Sequence, residues 1–189
     1  RAVTGICTAG RHGAAANGDR GACFPGPRND YYVLLCDGMG TGEPAAGLSA
    51  DCVHLLGDLL RAGVAPLDAL RILNGTYLLR GDGCFSTVDL LHIDLTSGEA
   101  ELLKWGAAPS YLRCGIRSKN WGQPRFRRAW GWEVTTRRSG TGCPFGEERC
   151  SFWSAMAREM QRAPWRALRE IRRGSLLRCS SQAFRQRMT

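Results

Sequence analysis

Residues 31–46 read YYVLLCDGMGTGEPAA. Tyr31 to Cys36 is an uninterrupted run of aromatic, aliphatic and thiol side chains, with the length and composition of a buried strand, and Asp37-Gly38 stops it. The strand therefore delivers Asp37 to a loop, DGMGTG, whose three glycines leave room where the backbone must turn or approach a ligand. Beyond the loop, Ala45, Leu48, Cys52, Leu55, Leu56 and Leu59 recur at helical spacing between Pro44 and Arg61, and Gly63 is placed to end that helix. Pro66, a favoured first helical residue, opens a second helix. It carries Leu67, Leu70, Leu73 and Tyr77 on one side and ends near Gly81-Asp82-Gly83.

Phe85 to Leu95 (FSTVDLLHIDL) is rich in β-formers, with Leu91, Ile93 and Leu95 alternating against His92 and Asp94. Thr96-Ser97-Gly98 turns the chain into Glu99 to Trp105, giving a hairpin, and a further strand is predicted around Ser110 to Arg113. Strand, two helices and then consecutive antiparallel strands imply an α+β layered domain rather than alternating parallel units.

After Gly115 these patterns fade. Ser151 to Arg173 has helical propensity, but Pro164 interrupts it and arginine falls on every face. Residues 1–115 hold 9 Lys and Arg against 12 Asp and Glu, a net charge of −3, whereas residues 116–189 carry 17 against 5, a net of +12. The tail has no Asp, one Val (Val134) and five of the six Trp, a contrast that two halves of one ordinary domain rarely show. A chain of 189 residues, 43% hydrophobic and 23% charged, suits one globular domain. No charged start leads into an apolar segment, and no apolar run approaches the roughly 18 residues of a membrane helix. Nine cysteines without a C-x-x-C pair indicate neither a zinc site nor a disulfide framework, so reduced thiols and a cytoplasmic location are expected.

Four blocks carry a resemblance: NGD (Asn17 to Asp19), DGMGTGEPAA (Asp37 to Ala46), FSTVDLLHIDL, and GEAELLKWGAAPSYLR (Gly98 to Arg113). In order and spacing they resemble the phosphatase domain of the stage II sporulation protein E family, a PPM-type (type 2C) protein serine/threonine phosphatase. The resemblance covers about the first 115 residues. It implies the first half of a layered α-β-β-α sandwich, a hydrolase acting on phosphoserine or phosphothreonine, and a substrate that is a phosphorylated anti-sigma-factor antagonist in sporulation or related signalling. It also implies a two-metal site, Mn²⁺ or Mg²⁺ held by oxygen ligands. Asp37 would bridge the metals and act in catalysis, the Gly38 carbonyl would add a ligand, and Asp19 would hold one metal. Water would be the nucleophile. Full-length relatives include membrane segments, none of which is expected in this chain.

Simpler roles exist for each of these residues. Asp37-Gly38 alone would be a strand-ending turn, and Asp19 a loop residue making an Asx turn; the surrounding blocks favour metal binding for both. His12, His54 and His92 lack ligand spacing and are expected to be structural or at the surface. Asp89 is assigned to the sheet rather than the site. Ser86 and Thr87, without a histidine partner in the pattern, are strand residues.

The family pattern continues with an apolar strand ending in Ser-Asp-Gly and a later Asp-Asp-Met-Thr, each supplying a metal-binding aspartate. A tail without Asp supplies neither. Displacing the reading frame by one base offers an explanation. Cys150 to Ala157 then permits Leu-Leu-Leu-Leu-Val-Ser-Asp-Gly, with the fourth Leu, the Val and the Gly forced by the code. Arg117 to Gly122 permits Pro-Val-Lys-Lys-Leu-Gly, and Arg187 to Thr189 followed by a TGA stop permits Asp-Asp-Met-Thr. Residues 1–115 are thus expected to be the N-terminal part of the phosphatase domain, and 116–189 an out-of-frame, poorly ordered basic tail that leaves activity impaired. Two alternatives compete: a catalytically dead pseudophosphatase serving as a regulatory binding module, and, more remotely, a nucleic-acid binder using the Arg- and Trp-rich tail. No recognisable nucleic-acid motif supports the latter, so no nucleic-acid partner is expected.

Overall fold

A computed structural model describes residues 4–6, 16–108, 110–114, 117–122, 135–138 and 150–154. The Tyr31–Cys36 run forms the middle of strand β2 (Asp30–Gly38), which pairs antiparallel on one side with β1 (Asp19–Pro25) and on the other with β3 (Ser86–Asp94). β3 pairs with β4 (Ala100–Trp105), and a five-stranded sheet is completed across β4 by β7 (Thr135–Arg138). A second, three-stranded sheet has β5 (Ser110–Cys114) between β6 (Arg117–Gly122) and β8 (Cys150–Ser154). The two predicted helices are α1 (Gly42–Arg61) and α2 (Pro66–Arg80). Gly63 at φ +87 follows α1, and Gly81 at φ +66 caps α2.

Strand alternation sorts the first sheet into two faces. Tyr32, Leu34, Cys36, Val88, Leu90 and Leu103 point to one side, where Leu48, Cys52, Leu56 and Leu60 of α1 and Leu70 and Leu73 of α2 cover them. The opposite face presents Tyr31, Val33, Leu91, Ile93 and Leu102, also buried. A sheet buried on both sides is the middle of a layered α+β domain, as the element order implied.

The hairpin after β3 forms through its turn residues: Asp94 accepts hydrogen bonds from the Thr96 N–H at 2.7 Å and the Ser97 hydroxyl at 2.7 Å, and Gly98 takes φ +73. Sequence periodicity missed β1, whose DRGACFP has no clear alternation, and it missed β6 and β7. Cys150–Ser154 is a strand where propensity allowed a helix from Ser151, because pairing with β5 outweighs the local preference. Most of the tail expected to be poorly ordered lies outside the described residues, as do His12 and the C-terminal Arg187 to Thr189. Among the described residues no helix is long and apolar enough to cross a membrane.

Candidate metal centre

Asp19 opens β1 and Asp37 lies one residue before the end of β2, and the register sets them directly opposite each other. Both project from the face turned away from the helices, in phase with Cys23 and Val33. Asn17 fixes the approach to β1: its side-chain oxygen accepts the Asp19 N–H at 3.0 Å. The Asx turn considered for Asp19 thus belongs to Asn17, which leaves the Asp19 carboxylate free to face Asp37. The Gly38 N–H donates to the Gly18 carbonyl at 3.0 Å, tying the loop before β1 to the end of β2.

Glycines make this closure possible. A Cβ on Gly18 would stand 3.2 Å from the Ala45 Cβ, 3.3 Å from the Gly38 carbonyl oxygen and 3.5 Å from Asp37 Oδ1, so a side chain here would crowd both oxygens and the first turn of α1. At Gly38 a Cβ would fall 2.0 Å from the Ala45 carbonyl oxygen and 2.8 Å from its carbon, because the first turn of α1 rests on this residue. Gly38→Ala must push helix backbone away and is expected to destabilise the chain by about 3 kcal/mol, the upper end for overpacking. Chemical denaturation of the two proteins measures it.

The carboxylates carry a cost in isolation. Burial, then the Asp19 charge and a hydrogen bond to Asp19, push the Asp37 carboxyl up to about 6; burial also raises Asp19, partly offset by its hydrogen bond to Asp37. Because the folded-state value of Asp37 lies above its unfolded value, the penalty is absent below about pH 4 and fully present above about pH 6. Metal-free stability should fall across that window. Asp37→Asn should lessen the fall, leaving the part due to Asp19, and gain about 1 kcal/mol at pH 7, a figure reduced for solvent screening of a half-exposed group. Thermal melts of both proteins between pH 4 and pH 7 provide the check.

The next rung of the same face holds a group that sequence patterns did not single out. Gly21, Leu35, Asp89 and Lys104 lie in register across β1 to β4. The Lys104 ammonium binds Asp89 Oδ1 and donates to the Ser110 hydroxyl at 2.7 Å, and that hydroxyl donates to Asp89 Oδ2 at 3.1 Å. All three residues are buried. Burial pulls the Lys104 ammonium below the ordinary lysine value, with Asp89 opposing. Since Ser110 belongs to β5, this triad pins the second sheet to the first beside the aspartate pair. Asp89 is in the sheet, as expected; its partner was legible only in that Lys104 shares the buried phase of Ala100 and Leu102.

The remaining candidates take structural roles. His92 stacks on Tyr32 with ring centroids 5.0 Å apart and meets Asp30 Oδ1 at 2.8 Å, while His54 is exposed. Ser86 and Thr87 lie within β3. Among the described residues no group of three or more His, Cys, Asp or Glu side chains forms a metal-binding set.

Residues 27–123 match the protein family described as Stage II sporulation protein E (SpoIIE), about half of the chain. The chain belongs to the stage II sporulation protein E family. It is 34% identical over 113 residues to stage II sporulation protein E of Priestia megaterium, a match covering 59% of this chain and 19% of that protein. The chain thus spans only about a fifth of that relative. Among solved structures it is similar to the PP2C phosphatase domain with a fragment of the regulatory domain of SpoIIE from Bacillus subtilis, at 27% identity and TM-score 0.59, covering 68% of this chain and 39% of that one. It also shares its fold with RsbX in complex with magnesium, at 16% identity and TM-score 0.54, covering 72% and 65%. The α+β fold of this SpoIIE-family chain is therefore that of part of a PP2C phosphatase domain.

Proposed function

We propose that the chain is the N-terminal part of a metal-dependent phosphatase acting on phosphoserine or phosphothreonine in a protein, with Asp37, Asp19 and the Gly38 carbonyl as its share of the metal ligands. The observation that carries this reading is the cross-strand pairing of Asp19 with Asp37, with Asp37 Oδ1 and the Gly38 carbonyl oxygen both beside Gly18, which has no side chain to cover them. An all-oxygen donor set suits Mg²⁺ or Mn²⁺. When bound, a pair of such cations would supply a hydroxide-like water at neutral pH and offset charge on the phosphoryl oxygens. Asp37 would take the bridging position, and Asp19, its cross-strand partner, would hold one of the two cations. The Asn17 hydrogen bond and the Gly18–Gly38 contact keep both in place without a rearrangement of the strands.

Membership of the SpoIIE family supports a phosphorylated anti-sigma-factor antagonist as the substrate. The two later aspartates of the family pattern have no counterpart in a sequence without Asp after Asp94, so hydrolysis by this chain is weak or absent. A one-base displacement after Gly115 accounts for their loss. In support, the apolar run that the displaced frame yields from Cys150 falls on β8, a strand that pairs with β5. A pseudophosphatase shares the same first half, and the nucleotide sequence separates the two, since a true pseudophosphatase has no reason to carry both lost motifs in another frame.

Calorimetric titration with Mn²⁺ tests the site itself. Weak binding is expected for the chain as it stands, lost in Asp37→Asn and reduced in Asp19→Asn, with Asp51→Asn on the exposed side of α1 as the control. Equal binding by the Asp37→Asn protein would remove Asp37 from the ligand set.

A further inference from the structure

On the other face of β2, immediately before Asp37, Cys36 meets Cys52 of α1 with the two sulfurs 3.3 Å apart. Both thiols are fully buried, and both are free. They lie inside the apolar interface between helix and sheet, among Leu34, Leu48, Leu56 and Val88, and take no part in the chemistry assigned to the aspartates. Two thiols in contact across two different elements form a pair rather than an isolated cysteine. Cys36 and Cys52 also bracket the entire Asp37–Gly42 loop and the first half of α1.

We propose that Cys36 and Cys52 are a site of oxidative modification, converted by a peroxide into a disulfide that closes residues 36–52 into a ring around the candidate metal loop. The chemistry balances in two steps. One thiolate attacks a peroxide oxygen, the O–O bond breaks, and a sulfenic acid and water result. The second thiol then attacks the sulfenic sulfur, an S–S bond forms, the S–O bond breaks, and a second water leaves. The two thiols lose two electrons and two protons, and hydrogen peroxide is reduced to two waters.

The closed structure slows this reaction. Neither sulfur is reachable by solvent, so peroxide cannot meet either thiol while the structure is closed. Oxidation therefore proceeds through openings in which α1 lifts from β2. Because α1 rests on Gly38 through Ala45, those openings also loosen the Asp37–Gly38 backbone. A disulfide would suppress them, since it joins α1 to the strand that carries Asp37.

The test treats the full chain with hydrogen peroxide, then maps disulfide-linked peptides by mass spectrometry and records thermal melts. The expected result is a Cys36–Cys52 link with loss of two hydrogen atoms, at a rate that levels off with rising peroxide. The melting midpoint should rise by roughly 10 °C, as closing a ring of this length implies, and return on addition of dithiothreitol. A variant with Ser at Cys7, Cys23, Cys84, Cys114, Cys143, Cys150 and Cys179 should form the same link, and Cys52→Ser should abolish it. The proposal is overturned if peptides from the wild-type chain show Cys84 oxidised while Cys36 and Cys52 remain thiols. It is overturned equally if Cys36 links to a different cysteine, or if the linked protein melts no higher than the reduced one.

Discussion

Lys104→Ala is expected to cost about 3–5 kcal/mol of folding stability, because it leaves the Asp89 carboxylate buried without its cation. That is a large share of the roughly 5–15 kcal/mol that holds a domain together, so the variant should unfold at much lower denaturant concentration than the parent. The cost arises from desolvation. Asp89 is buried at the rung next to the aspartate pair, and the Ser110 hydroxyl, which donates to it at 3.1 Å, carries no charge to offset its own. Replacing both ends with apolar residues of similar volume, Lys104→Met with Asp89→Leu, removes the orphaned charge and should recover most of the loss. Denaturant titrations of the single and double variants form the comparison. A loss below about 1 kcal/mol in Lys104→Ala, a value typical of exposed ion pairs, would contradict the buried latch between the sheets.

Much of this architecture is legible in the residues themselves. An unbroken apolar run ending at Asp37-Gly38 marks β2, Pro66 and Gly81 bracket α2, and Thr96-Ser97-Gly98 announces the hairpin, because each is a local signal with a local cause. Asp19 and Asp37 were nominated by resemblance, and the β1–β2 register brings them together. β1 was not legible: it owes its strand conformation to pairing with β2 rather than to alternation in DRGACFP. Nor was the Lys104–Asp89–Ser110 triad, since register across three strands and a second sheet cannot be read from spacing within any one of them. The contact of Cys36 with Cys52 depends likewise on how α1 lies on β2.

Shifting the reading frame after Gly115 by the proposed single base is expected to produce the largest functional change, from little or no hydrolysis to Mn²⁺-dependent turnover of a phosphoserine protein. Electrostatics sets the direction. On the proposed ligand set, two divalent cations would bring four positive charges against two negative charges from Asp19 and Asp37, and the two later aspartates of the family pattern would raise the protein's share to four. Their loss would weaken cation binding and leave the attacking water without its full set of holding groups. In the restored protein Asp37→Ala should lower the rate by more than about 100-fold, since even residues that only support a metal ligand are commonly worth 10- to 100-fold.

The most direct measurement is the Mn²⁺-dependent rate of phosphate release from a phosphoserine protein by three chains side by side: the chain as it stands, the frame-restored chain, and the frame-restored chain carrying Asp37→Ala. The predicted result is release by the frame-restored chain alone. Equal turnover by the chain as it stands would contradict the missing-ligand account, and full activity in the Asp37→Ala protein would contradict the bridging role of Asp37.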